Sequence, residues 1–283
     1  MYPTDIRQSS PLMQVTYKTA LVIALLLWLL PLAAVFLTSM RSIGDINMGN
    51  YWGMPSEIML IENYTEVFRR TNMATYMRNS LLITLPASFG AVALSTLAGY
   101  ALAKYHFRGN ILLLALFIGG NFVPFQILMI PVRDLTLDLG MYDSIQGLVI
   151  FHIAFQTGFC TLFMRNFMVD VPEELIESAR LEGASEFRIF FTIVLPLVRP
   201  AIAALVVLVF TFVWNDYFWA LVLMQSDEVR PVTAGISALK GQWLASWQLI
   251  SAGSIVAAIP PVALFFLMQK HFIAGLTLGA TKG

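Results

Sequence analysis

Glu177-Ser178-Ala179-Arg180-Leu181-Glu182-Gly183, followed by Ile193-Val194-Leu195-Pro196, is a charged, helix-forming stretch set between two long apolar runs. Upstream, Asp170 precedes Val171-Pro172-Glu173-Glu174. Proline suits a first helical turn, where its missing N–H had no partner. Carboxylates suit the positive end of a helix dipole. Leu175, Ile176 and Ala179 then make a short apolar face. Gly183 can take the left-handed conformation that ends a helix, and Ser185 can cap a second one. Phe187, Phe190, Phe191 and Val194 stand at i, i+3, i+4 and i+7, a second apolar face. Pro196 and Pro200 mark the start of the next apolar run. The physics predicts two short amphipathic helices meeting at Gly183 in a loop at a membrane face. Such a hairpin either packs beneath its own bundle or receives a partner.

The flanking runs are membrane spans. Of the 283 residues, 58% are hydrophobic and 12% charged, with a mean hydropathy of +0.74. A soluble domain carries about 25% charged residues. Six runs are long enough for a bilayer, which needs about 20 residues per helix: 19–40, 80–103, 111–132, 145–164, 197–224 and 247–268. The expected fold is therefore all-α, a single polytopic domain over 1–283. It has an external loop at 41–78, a cytoplasmic loop at 170–196 and a cytoplasmic tail at 271–283. The first run follows Arg7 and Lys18 like a signal peptide, but exceeds the usual h-region of roughly 7–15 residues, so it reads as a retained span. Net charge is zero, which implies no polybasic surface and no nucleic-acid partner. Cys160 is the only cysteine, so neither an internal disulfide nor a thiolate metal site can form. Neither an internal repeat nor a low-complexity tract is visible.

With both termini inside, ten Lys and Arg face the cytoplasm and seven face out, a modest positive-inside bias. The arginines of 41–78 weaken it, but Asp45, Glu57, Glu62 and Glu66 match them. Tyr64, Val67 and Phe68 recur with helical spacing in that loop. They predict a helix that lies on the membrane or on the protein itself, or that offers a surface to an external partner.

Several spans carry polar groups that lipid cannot satisfy. The third has Asn121 and Gln126, the fourth His152 and Gln156, the fifth Asn215 and Asp216, the sixth Gln248 and Ser251. Trp214-Asn215-Asp216-Tyr217-Phe218-Trp219 combines hydroxyl-binding groups with aromatic faces, the two elements of sugar recognition. On a helix, Asn215 and Asp216 share a face with Trp219. Gln126, His152, Gln156, Asn215, Asp216 and Trp219 are the candidate substrate-pathway residues. Helix–helix hydrogen bonding and an interfacial aromatic belt are the alternatives.

The 177–196 spacing also resembles the coupling loop of bacterial ABC-importer permeases: Glu-Ala-Ala, three residues, Gly, nine residues, Ile, one residue, Leu-Pro. Ser178 stands where the family has Ala, a small-for-small change, and Glu182 where it often has Asp. The resemblance extends to the carbohydrate-uptake, maltose-transporter branch. Glu62-Asn63-Tyr64, Asn79-Ser80-Leu81, Gly99-Tyr100-Ala101-Leu102-Ala103 and the 214–219 segment are typical of it. Gly275-Leu276-Thr277-Leu278-Gly279-Ala280-Thr281-Lys282-Gly283 is similar to the tail of its smaller permease subunit.

The resemblance implies an inner-membrane subunit of an ATP-driven sugar importer, without catalysis of its own. Partners would be a second homologous permease, two ATPase subunits that bind ATP and Mg, and an external sugar-binding protein. Glu177, Ser178, Ala179, Glu182, Gly183, Ile193, Leu195 and Pro196 would meet the ATPase. The tail, through Gly275, Leu276, Thr277, Gly279 and Lys282, would enter the ATPase interface, although its three glycines make an isolated helix there unfavourable. The sequence has no G-x-x-x-x-G-K-[ST] phosphate loop, so the energy must come from a partner. A secondary transporter or channel is the alternative. It predicts ionisable groups in several spans, but only His152 and Asp216 lie clearly inside apolar runs.

Overall fold

The computed structural model describes Ile6, residues 9–239 and residues 246–280, with the side chains of 271–280 excepted. The described elements are helices: α1 (Pro11–Ser39), α2 (Ile43–Asn47), α3 (Leu60–Arg70), α4 (Met73–Lys104), α5 (Asn110–Gly120), α6 (Met129–Asp138) and α7 (Ile145–Val169). They continue with α8 (Glu173–Leu181), α9 (Glu186–Ile189), α10 (Leu195–Leu197), α11 (Arg199–Trp214), α12 (Phe218–Leu223), α13 (Val232–Ser237) and α14 (Trp247–Ala280). Four of them, α1, α4, α7 and α14, are individually long and apolar enough to cross a membrane. Two bent pairs bring the number to six.

Both bends correct the expectation of straight spans. The run predicted at 111–132 turns by 90° between α5 and Phe125–Asp138. Asn121 turns its amide back onto the Phe117 carbonyl (2.8 Å). Pro124 then removes a backbone donor and disfavours helical geometry in the residue before it. The run predicted at 197–224 bends by 75° where α9–α10 meets α11, and breaks again after Trp214. There the Asn215 amide donates to the Thr211 carbonyl (2.9 Å). The Asp216 carboxylate accepts from the backbone N–H groups of Trp219 (3.3 Å) and Ala220 (3.1 Å), which starts α12. Short polar side chains offer the backbone an alternative to the helix. Asn215 and Asp216 therefore lie at a helix break, not on one helical face with Trp219.

The chain forms two compact units. In the first, residues 1–71 with 239–256, α1 exposes nearly all of its apolar length. The segment after it is tied by polar contacts. Asn63 donates to the Ser39 (3.0 Å) and Arg41 (2.8 Å) carbonyls. Arg41 is fully buried, bonds the Tyr51 carbonyl (3.2 Å) and lies 3.9 Å from Asp45. The predicted helix around Tyr64 is present as α3, with Val67 buried.

In the second unit, residues 72–238 with 257–283, α4 and α7 pack along their lengths. Small residues permit this approach. A Cβ on Gly99 would stand 2.9 Å from the Arg165 backbone nitrogen, and one on Gly158 would stand 2.6 Å from the Phe117 carbonyl oxygen. Ala87, Ala91, Met164, Leu205 and Val209 are buried in the same core. The tail continues α14 as helix to Ala280, contrary to the propensity argument. A helix already nucleated upstream carries weak formers that could not start one alone. The side chains of Gly275, Leu276, Thr277 and Gly279, and all of Lys282, lie outside the described residues.

Candidate functional site

The 170–196 loop is a helical hairpin held against the end of α4. Gly183 has φ +84°, as a helix-ending glycine requires. Its N–H bonds the Arg180 carbonyl (3.0 Å), and the Ala184 N–H bonds the Ala179 carbonyl (3.0 Å). These are the paired bonds of a Schellman cap. Ser185 caps α9 by accepting from the Arg188 N–H (3.4 Å). Arg180 grips Glu186 with both ends of its guanidinium (2.7 and 3.2 Å), closing the turn. The hydroxyl of Tyr105 donates to the same carboxylate, and that of Tyr100 lies 3.4 Å from it. Lys104 donates to the Val171 carbonyl (2.6 Å) and lies 3.2 Å from Glu173. The Arg180 bonds, then the Tyr105 hydroxyl, hold the Glu186 carboxyl below its usual range.

The hairpin has distinct faces. Ile176, Ala179, Ile189, Phe190 and Val194 are buried beneath it. Glu174, Glu177, Ser178, Glu182 and Gly183 are exposed. Ala179 was placed by its motif among the contact residues, but it is 9% exposed and packs inward. Ile193, Leu195 and Pro196 are half-buried. Phe187 was expected on the inner face, yet it is 76% exposed, and Leu181 is 90% exposed. The cause is a π-helical turn over Phe190–Val194. It shifts the angular register, so the seven-residue spacing no longer keeps one face. Sequence reasoning missed Leu181 and Phe187 as the apolar tips of the hairpin.

A second constellation lies where α5, α7 and α11–α12 meet. A pocket of about 440 Å³ is lined by Asn121, His152, Gln156, Asn215 and Asp216 among aromatic rings, including Phe155, Phe159, Tyr217 and Trp219. His152 Nε2 is 3.6 Å from Asp216 Oδ2. His152 is 3% exposed, and its two ring nitrogens have no hydrogen-bond partner among the described residues. The Asp216 carbonyl accepts from Thr233 (2.6 Å), which fixes the break from the other side. Five of the six candidate pathway residues thus converge. Trp219 is 3% exposed, its ring 4.1 Å from that of Phe151, so it forms wall more than contact surface. Gln126 does not join them: it is exposed and outside the pocket lining, because the 90° bend carries it away.

The family model of the binding-protein-dependent transport system inner membrane component matches residues 91–277, which include both the hairpin and the pocket. The chain belongs to this family. This inner membrane component is 35% identical to the osmoprotective compounds uptake permease protein GgtD of Synechocystis, over 90% of this chain and 88% of that protein. It is 31% identical to the arabinooligosaccharides transport system permease protein AraQ of Bacillus subtilis, over 91% and 92%. A solved bacterial ABC transporter involved in import of the acidic polysaccharide alginate shares the fold, with a TM-score of 0.79 and 23% identity over 96% of this chain and 99% of that one. Family membership selects a binding-protein-dependent transport component over a secondary transporter or channel.

Proposed function

We propose that this inner membrane component is the permease subunit of an ATP-driven importer of sugars or sugar derivatives. It forms half of the translocation pathway with a second homologous permease. It receives substrate from an external binding protein and is driven by two ATPase subunits that carry ATP and Mg. The names of AraQ and of the melibiose/raffinose/stachyose import permease MelC support the sugar class. The hairpin carries the coupling assignment: it is clamped to α4 by Glu186 and Lys104 while its tip presents Leu181, Phe187 and a row of carboxylates. A rigid lever with an exposed apolar tip suits docking into a partner's cleft. This reading places the 170–196 loop, both termini and the 271–283 tail on the cytoplasmic side, and 41–78 outside. The pocket at His152 and Asp216 is its stretch of the substrate path.

The test is Glu177→Lys in the assembled complex. Glu177 is exposed, so the change leaves the fold of this chain intact. The expected outcome is normal membrane insertion with loss of ATP hydrolysis stimulated by the loaded binding protein. Wild-type stimulation and uptake would overturn the assignment.

A further inference from the structure

The charge of the pocket carries a conclusion about its ligand. Among the described residues that line it there is no lysine or arginine. Its ionisable groups are Asp216 and His152 alone. Asp216 is fixed by the two N–H groups that start α12, so its carboxylate cannot swing away. His152 stands at 3.6 Å, beyond hydrogen-bond distance, with its nitrogens unpartnered within the protein and almost no solvent access. A buried ring of this kind calls for a polar partner. A ligand hydroxyl suits it, because it can donate to an unprotonated nitrogen and accept from a protonated one. Gln156 and Asn215 add amide donors and acceptors, and the aromatic rings add flat apolar faces.

We infer that this pocket selects neutral, hydroxyl-rich saccharides or polyols and excludes acidic sugars, with Asp216 as the discriminating group and His152 as the hydroxyl partner. The inference rests on the proposed reading of the pocket as part of the substrate path. A uronate carboxylate would meet Asp216 with no cation to balance it. Two like charges ~6 Å apart, at an effective dielectric of ~20, lower occupancy on the order of 100-fold. The similar fold serves an acidic polysaccharide in the alginate importer. That likeness is of fold and does not extend to the charge of this site.

The test reads pocket occupancy directly, apart from the binding protein's own preference. Phe212 lines the pocket and is 55% exposed, whereas the native Cys160 is fully buried. A Phe212→Cys chain, purified with its co-isolated partners and placed in lipid nanodiscs, is labelled with a maleimide. The competitors are neutral trisaccharides (maltotriose and raffinose) and trigalacturonate. The expected result is protection by a neutral sugar at concentrations ~100-fold below any protection by trigalacturonate. Adding Asp216→Asn should collapse that ratio to a few-fold, and Asp216→Glu should restore it. Equal protection by both classes, or a ratio unchanged by Asp216→Asn, would overturn charge selection while leaving the pocket a saccharide site. Protection by neither class would instead overturn the pocket's place in the substrate path.

Discussion

Gly183 separates backbone geometry from partner contact within the hairpin. Its φ of +84° is left-handed, and a Cβ built there meets nothing within 4 Å among the described residues. Alanine therefore costs only the left-handed strain, about 1–2 kcal/mol. Asparagine, which tolerates that region, should cost less. Proline fixes φ near −65° and removes the N–H that bonds the Arg180 carbonyl at 3.0 Å. Its cost is about 3 kcal/mol or more, enough to dissolve the Schellman cap and free α8 from α9. In the assembled complex, stimulated ATP hydrolysis should fall in the order glycine, asparagine, alanine, proline, with proline abolishing it. Amide exchange across 173–194 should rise in the same order. A proline variant with wild-type coupling would refute the rigid-hairpin argument. If alanine and asparagine abolished coupling while exchange stayed at the wild-type level, strain would be the wrong cause. Space within this chain is free, so the obstruction would lie in a partner packed against Gly183.

Three further outcomes follow from local geometry. Glu186 has a lowered folded-state pKa, chiefly through Arg180 and then Tyr105, so its contribution is complete above the ordinary unfolded carboxylate value of about 4.3 and lost as pH falls through the lower folded value. Exchange in 173–194, corrected for intrinsic rate, should therefore loosen only in acid, and Glu186→Gln should be loose at pH 7 and lose that acid step; an unchanged profile would show that the clamp is idle. Gly99→Ala should destabilise the purified complex by about 1–3 kcal/mol, because the new Cβ meets the Arg165 backbone nitrogen at 2.9 Å, whereas Gly119→Ala, with nothing within 4 Å, should not; equal melting temperatures for the two would refute the close packing of α4 on α7. Deletion of 276–283 should preserve insertion but weaken ATPase association or coupled hydrolysis, and a truncated subunit that assembles and transports at the full rate would show the tail dispensable.

Hydropathy reported the six spans because lipid imposes length and apolarity on every helix that crosses it. Gly183 and Ser185 were legible because a turn and a cap each need a particular residue type. The inward turn of Ala179 and the outward turn of Phe187 were not. The first depends on which side of α8 meets α4, and the second on a π turn that adds a residue without a composition signature. Pro124 warned of the first span break, but nothing comparable announces the one after Trp214. There the decision falls to the side chains of Asn215 and Asp216 in competition with the backbone. His152 and Asp216 were visible as polar residues in apolar runs. Their meeting required the break itself, which turns Asp216 toward α7.

That break gives the proposed coupling a path. α7 and α11 are joined at one end by the hairpin, and toward their other ends they hold His152 and Asp216. From His152 to the end of α7 is about 26 Å, and α11 is about 24 Å long at 1.5 Å per residue. The hairpin cannot simply flex when pushed, because Lys104, Tyr105 and Arg180 brace it. Displacement at its tip must therefore pass into the helices it joins. A relative tilt of about 5° over ~24 Å moves the far end by roughly 2 Å. That is comparable with the distance separating the His152–Asp216 gap of 3.6 Å from either a direct hydrogen bond or an open pair. Helices bearing on a rigid hairpin at one end and on a narrow polar gap at the other convert a small rotation into a change of ligand contacts. In the proposed importer, the same rotation that follows ATPase closure would change how the pocket holds a hydroxyl.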